Sequence, residues 1–233
     1  MFQIKICGIT TPEDALAAAA AGADAVGLNF FPGSSRFIHP GTAQKIVDAL
    51  QRQFGEAVTP VGVFVNATIE EVAETIEILS LNWIQLHGHE NVEYIARLQE
   101  KFGGKLRIIR AFRPRSWEDL KETANFAREC KANNTPLEAV LIDGARGSAF
   151  GGTGQLAPWD LAARYREVLE GQSPPPLVLA GGLTPENVAD AIQSVRPDAV
   201  DTASGVEIAP GRKDPLKMKA FVQAAHQALQ ALR

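Results

Sequence analysis

Two side chains able to carry chemistry close short apolar runs of the chain: Cys7 after Lys5-Ile6, and Asp143 after Leu141-Ile142. Each has an ordinary alternative. Cys7 reads equally as a small buried thiol, since free cysteine is among the most buried residue types. Asp143 has as its alternative an aspartate capping its own loop. Cys130, late in a helical segment, reads as structural. Two further apolar runs end in Ala180-Gly181-Gly182-Leu183 and in Asp201-Thr202-Ala203-Ser204-Gly205. Glycines let backbone N–H groups approach an anion, and a helix N-terminus adds favourable partial charge. Thr184, just beyond the first glycine pair, reads as the N-cap of such a helix. Together these segments point to a phosphorylated ligand; they do not specify a reaction. Arg36 follows Ser34-Ser35 and has the planar fork that clamps a carboxylate, with a solvated loop arginine as the alternative. His87 and His89 sit near Glu90 at a spacing that matches no strong zinc signature, so loop or surface histidines are expected and no metal site.

Those residues depend on the elements between them. Strands are expected near residues 3–7, 24–28, 59–65, 82–86, 106–112, 138–143, 176–180 and 198–202. Helices are expected near 12–21, 41–53, 68–80, 90–102, 116–132, 157–169, 185–194 and 214–232. Strict alternation implies parallel strands joined by crossover helices. The pattern matches an α/β fold, a (β/α)8 TIM barrel, over a single domain of residues 1–233. An open doubly wound sheet competes, but its Gly-x-Gly-x-x-Gly after the first strand is absent. Asp24-Ala25-Val26 and Asp198-Ala199-Val200 open strands two and eight in similar words.

Active sites of such barrels lie at the C-terminal ends of the strands, and the loops after strands seven and eight commonly hold phosphate. Side chains alternate along a strand. With Ile4 and Ile6 facing the helices, Lys5 and Cys7 face inward; with Val140 and Ile142 outward, Leu141 and Asp143 face inward. Cys7 and Asp143 therefore reach the same rim. The glycine-rich stretch from Gly144 to Gly154 resembles a loop that moves over a site.

Composition excludes several classes of function. The formal charge of −4, from 23 basic and 27 acidic residues, lacks the basic footprint of a nucleic-acid binder. Two cysteines cannot build a disulfide framework and suit a reducing cytoplasm. The N-terminal Met-Phe-Gln-Ile-Lys-Ile-Cys is too short and polar for a signal peptide, and no apolar run reaches the ~18–20 residues of a membrane span. A cytoplasmic protein is expected. Whether it is a monomer or a homodimer is left open, because barrel helices are amphipathic in either case.

In combination the chain resembles phosphoribosylanthranilate isomerases. The matching words are Lys5-Ile6-Cys7-Gly8-Ile9-Thr10, Gly62-Val63-Phe64-Val65-Asn66, Gln85-Leu86-His87-Gly88, Leu141-Ile142-Asp143 and Gly151-Gly152-Thr153-Gly154. They continue with Ala180-Gly181-Gly182-Leu183-Thr184-Pro185-Glu186-Asn187, Ser204-Gly205-Val206-Glu207 and Gly211-Arg212-Lys213-Asp214. The opening Lys-x-Cys-Gly-x-Thr is the specific part; phosphate loops are shared more widely among barrels. The resemblance implies an Amadori rearrangement in tryptophan biosynthesis on a small phosphorylated aminosugar, without cofactor. It implies that Asp143 is the general acid and Cys7 the general base. Gly181, Gly182, Ser204 and Gly205 would hold the phosphate, Arg36 the anthranilate carboxylate, and Asp201 joins them in the substrate-binding set. Ala203 stands where the family more often has serine, and Asn29 where an apolar residue is common.

These roles demand unusual protonation. Near pH 7 an unperturbed aspartate is about one part in a thousand protonated, and a thiol only a few per cent thiolate. Burial is expected to raise the Asp143 pKa, and Lys5, on the same strand face as Cys7, to favour the thiolate. Other phosphosugar barrels and a catalytically silent phosphate-binding subunit are the competing readings.

Overall fold

The computed structural model describes residues 1–144, 158–169 and 174–232. Eight parallel strands close into a barrel in chain order: β1 Ile4–Cys7, β2 Ala25–Asn29, β3 Thr59–Phe64, β4 Trp83–Leu86, β5 Arg107–Phe112, β6 Ala139–Asp143, β7 Leu177–Ala180 and β8 Ala199–Thr202. Lys5 pairs with Ala25 of β2 on one side and with Asp201 of β8 on the other, which closes the ring. The helices between and after the strands are α1 Pro12–Ala20, α2 Pro40–Phe54, α3 Ile69–Leu79, α4 Val92–Lys101, α5 Trp117–Ala132, α6 Pro158–Ala163, α7 Val188–Val195 and α8 Pro215–Ala231. This is the expected (β/α)8 architecture.

Local chemistry explains where the helices begin. Thr11 accepts from the Asp14 N–H and precedes Pro12, whose fixed φ suits a first helical position. Thr68 with Glu71, and Ser116 with Asp119, form reciprocal capping boxes that start α3 and α5. Strand alternation then sorts the core into two layers. Ile4, Ile6, Val140 and Ile142 pack in the layer shared with the helices. Val61, Trp83, Ile109, Leu141 and Val178 fill the barrel interior. Burying each such side chain stabilises the fold by roughly 1.5–3 kcal/mol. Among the described residues no helix is long and apolar enough to cross a membrane.

The repeated Asp-Ala-Val words have a shared structural cause. Asp24 accepts from the backbone N–H groups of Gln3 and Ile4 at 3.0 and 2.8 Å. Asp198 accepts from Leu177 N–H at 2.7 Å. In both cases the aspartate ahead of one strand satisfies the orphan donors that begin its neighbour.

Several boundaries differ from expectation. The helix expected over 157–169 ends at Ala163, and a 3-10 turn occupies Glu167–Leu169. Arg164 and Tyr165 N–H groups reach back only three residues, to Leu161 and Ala162, and Tyr165 is fully buried there. Helix α7 starts at Val188, and Thr184 is not its N-cap. Instead Thr184 N–H donates to Asn187 Oδ1 and the Asn187 amide donates to the Gly182 carbonyl, forming a side-chain-braced turn ahead of the helix. A hairpin of β9 Glu207–Ala209 and β10 Arg212–Lys213 was not expected. Its strands are too short for a periodic signal; its turn carries Gly211 at φ +77° behind Pro210. The loop expected over Gly144–Gly154 falls, from Ala145 onward, outside the described residues.

Candidate active site

The C-terminal rim of the barrel surrounds a cavity of about 400 Å³, and Cys7, Arg36, Asp143, Gly181, Gly182, Asp201 and Ser204 all line it. Residues drawn from the ends of β1, β6, β7 and β8 and from the loop after β2 thus meet at one place. Gly205 does not line it. A side chain there would collide with the Leu183 carbonyl, so Gly205 permits the close approach of the two glycine loops behind the cavity.

At Cys7 the chain turns sharply. Gly8 takes φ +73°, which favours glycine, and the N–H groups of Gly8 and Ile9 both donate to the Gly27 carbonyl. Gly27 itself leaves room for the thiol: a Cβ at that position would stand 2.6 Å from Cys7 Sγ. Below the thiol lies a fully buried ion pair, Lys5 Nζ to Asp201 Oδ2 at 2.9 Å. Burial pulls the Lys5 pKa down, but Asp201 and Cys7 outweigh it and hold the ammonium charged. Cys7 departs from expectation. Lys5 does favour its thiolate, yet burial dominates, Asp201 opposes, and the thiol pKa ends above its ordinary value. Asp201 reaches the cavity wall with one oxygen committed to Lys5, and its Oδ1 lacks a hydrogen-bond partner among the described residues.

Asp143 also departs from expectation. Burial does push its carboxyl up, but hydrogen bonds and charge from His87 and Arg113 prevail, and its pKa lies below the ordinary carboxylate value. Arg113 Nε donates to Asp143 Oδ2 at 2.9 Å, and His87 Nε2 lies 3.4 Å from the same oxygen. Arg113 was not singled out from sequence, and His87 was noted there without this role. His87, expected in a loop or at the surface, lies at the rim in the loop directly after β4, and Gln85 on the same strand face holds its other ring nitrogen at 2.9 Å. Arg113 directly follows β5, and the rule that places Cys7 and Asp143 at strand ends could have found both. His89 is exposed, as expected. No group of histidine, cysteine and acidic residues suited to a metal occurs among the described residues.

Gly181 and Gly182 take φ +93° and +68°, a backbone shape open to glycine and strained for other residues. A Cβ at Gly181 would run into the backbone of Gly144, so the ends of β6 and β7 close together only with glycine there. Arg36 is not a free loop arginine. Its Nε and Nη2 donate to the two oxygens of Glu207 at 2.7 and 2.6 Å, and the residue lines the cavity.

Comparison with known proteins agrees with this geometry. The model of the N-(5'phosphoribosyl)anthranilate (PRA) isomerase family matches residues 4–224. The chain is 42% identical to the N-(5'-phosphoribosyl)anthranilate isomerase of Syntrophus aciditrophicus over 227 residues, covering 97% of this chain and 88% of that one. It is also 42% identical to that of Trichlorobacter lovleyi over 230 residues, covering 98% and 100%. Among solved structures, phosphoribosyl anthranilate isomerase from Thermotoga maritima superposes with a TM-score of 0.78 at 37% identity, covering 97% of this chain and all of that chain (100%). A phosphoribosyl anthranilate isomerase bound to reduced 1-(o-carboxyphenylamino)-1-deoxyribulose 5-phosphate superposes with a TM-score of 0.76 at 36% identity, covering 97% and 100%. This chain belongs to the N-(5'-phosphoribosyl)anthranilate isomerase family.

Proposed function

We propose that the chain converts N-(5-phosphoribosyl)anthranilate to 1-(2-carboxyphenylamino)-1-deoxyribulose 5-phosphate, an Amadori rearrangement of tryptophan biosynthesis, with Asp143 as general acid and Cys7 as general base. The observation that carries the assignment of roles is that one cavity holds a carboxyl, a thiol, an arginine and two glycine loops. Asp143 gives its proton to the ribose ring oxygen; the C1–O bond breaks and the ring opens to an iminium. Cys7 thiolate then removes the proton on C2, leaving an enolamine. That species gains a proton at C1 and loses one from the C2 hydroxyl, which yields the ketone. One proton has passed from Asp143 to the substrate and one from the substrate to Cys7, and solvent exchange resets both. A thiol and a carboxyl suffice for these transfers, so the proposal includes no cofactor or metal.

Gly181, Gly182 and Ser204 hold the phosphate through backbone N–H groups and the serine hydroxyl, with Gly205 supporting them. Asp201 belongs to the same substrate-binding set as a residue of the cavity wall. Arg36 takes the anthranilate carboxylate. These remote contacts fix C2 against Cys7, and such positioning contributes several kcal/mol of barrier lowering in oriented systems generally. Arg36→Met should raise KM roughly 10- to 100-fold with little change in kcat, as a charged hydrogen bond of ~1.5–3 kcal/mol is lost. An unchanged KM in steady-state kinetics would remove Arg36 from binding.

The protonation states set the pH profile. Asp143 titrates low and Cys7 high, so protonated Asp143 with thiolate Cys7 is a minority species. Its fraction stays constant between the two coupled pKa values and falls outside them. The expected kcat/KM profile is a broad plateau through neutral pH. Arg113 lowers the Asp143 pKa, so Arg113→Met should raise it and move the acid limb to higher pH. Dividing the variant profile by that of wild type cancels ionisation of the substrate phosphate; a limb that stays in place would separate Arg113 from control of Asp143.

The test of the reaction itself is decay of anthranilate-type fluorescence from freshly generated substrate, corrected for spontaneous hydrolysis, with the aminoketose quantified. No aminoketose from folded wild type would refute the assignment.

A further inference from the structure

Arg36, the arginine assigned to the substrate carboxylate, belongs to a built cluster at the edge of the cavity. Glu207 grips it through both carboxylate oxygens, at 2.7 and 2.6 Å. The side chain of Glu207 is only 5% exposed, and that of Lys213, which donates to Glu207 Oε1 at 2.9 Å, is fully buried. Lys213 Nζ also donates to the carbonyls of Cys7 at 2.6 Å and Ala203 at 3.0 Å. An ammonium has three donors and no acceptor, so three oxygen partners satisfy it as a cation. Gly8 permits the arrangement, because a side chain there would occupy the place of the Arg36 Cδ.

The donor inventory of Arg36 is informative. A guanidinium has five N–H donors. Glu207 takes the Nε–H and one of those on Nη2, which leaves the second edge, Nη1 with the remaining Nη2 donor, as an intact fork. That edge suits bidentate capture of one further carboxylate. Charge runs the same way: two cations share one carboxylate, leaving one positive charge for an incoming anion.

We propose that Glu207, anchored by Lys213, is a positioning residue that aims the free edge of Arg36 at the substrate carboxylate. Lys213 is itself fixed by its bonds to the Cys7 and Ala203 carbonyls, so the carboxylate that holds Arg36 has a rigid anchor. The inference rests on the reading of Arg36 as the carboxylate ligand. It makes the carboxylate of the substrate a determinant of specificity that depends on a residue it does not touch.

Electrostatics and positioning predict opposite signs for Glu207→Gln. Removing the anion makes the cluster more positive, so charge alone would tighten binding of an anionic ligand. Loss of the fixed fork should instead weaken it. The experiment compares wild type, Glu207→Gln, Glu207→Asp and Arg36→Met on N-(5-phosphoribosyl)anthranilate and on N-(5-phosphoribosyl)aniline, which lacks the carboxylate. Glu207→Asp keeps a negative charge in the cluster while shortening the reach to the Arg36 fork, and so covers the case in which Glu207→Gln fails to fold. Expected is a roughly tenfold rise in KM for the carboxylated substrate, with kcat within about twofold. On the aniline substrate kcat/KM should stay within about twofold of wild type. Equal losses on both substrates, or a lower KM for the carboxylated one, would overturn the proposal. Arg36→Met separates the two levels: if its loss is the same on both substrates, the carboxylate reading of Arg36 itself fails. If Arg36→Met discriminates and neither Glu207 variant does, only the positioning role falls.

Discussion

Cys7→Ala should lower kcat by about 10³-fold, within the ~10²–10⁴ that general base catalysis usually contributes, while KM stays within about threefold. Residue 7 lines the cavity, and the Arg36–Glu207 fork is held by hydrogen bonds in which the thiol takes no part, so its removal should leave substrate binding standing. Neither nearby lysine offers a substitute. Lys5 is spent on Asp201, and Lys213 is spent on three oxygens. Cys7→Ser should be nearly as inactive, because a serine hydroxyl is far harder to ionise than a thiol. Folding should survive, since Gly27 already keeps the space around this position open and alanine only enlarges it. Single-turnover fluorescence with product quantification decides the matter. Aminoketose formation by Cys7→Ala within tenfold of wild type would exclude Cys7 as the essential base.

The second large effect belongs to Asp143→Asn. The amide oxygen can still accept from Arg113 Nε, which reaches Asp143 at 2.9 Å in the native site. The shape of the rim is thereby kept, but no proton can be given to the ring oxygen. A fall of about 10²–10⁴-fold in kcat is expected, again with a small change in KM, and the acid limb of the pH profile should vanish with the group that produces it. His87, whose Nε2 lies 3.4 Å from Asp143 Oδ2, is a second group there able to carry a proton. If it supplied the proton directly, Asp143→Asn would retain most of the wild-type rate, and that result would transfer the acid role to His87. Circular dichroism matching wild type is the control for both variants.

In the proposed mechanism, the ion pairing that steadies Asp143 also reduces its protonated fraction, so proton availability is exchanged for fixed orientation. Arg113 would then act as both a clamp and a brake. That is why its substitution is expected to move a pH limb as well as a rate.

The sequence by itself determined the architecture. Alternation of short β-branched runs with helical segments admits few parallel folds, and the side-chain periods of 2 and 3.6 placed Ile4 and Ile6 outside and Lys5 and Cys7 inside. Because barrel chemistry gathers at the C-terminal ends of strands, the positions of Cys7, Asp143, Gly181, Gly182 and Ser204 were legible as a single rim, and the family words added their expected roles. Tertiary structure decided how those groups are charged and held. Glu207 lies 171 residues from Arg36 in the chain, Lys213 lies 206 from Cys7, and Asp201 lies 196 from Lys5. Local pattern carries no information about such pairs, whose partners are fixed only when β8 closes against β1. The pKa directions follow from the same cause: burial at Cys7 overrides the cation beside it, whereas at Asp143 two donors from the ends of β4 and β5 override burial. Period and motif name the groups at the rim; the balance of desolvation against partners, which sets what each can do, exists only in the closed barrel.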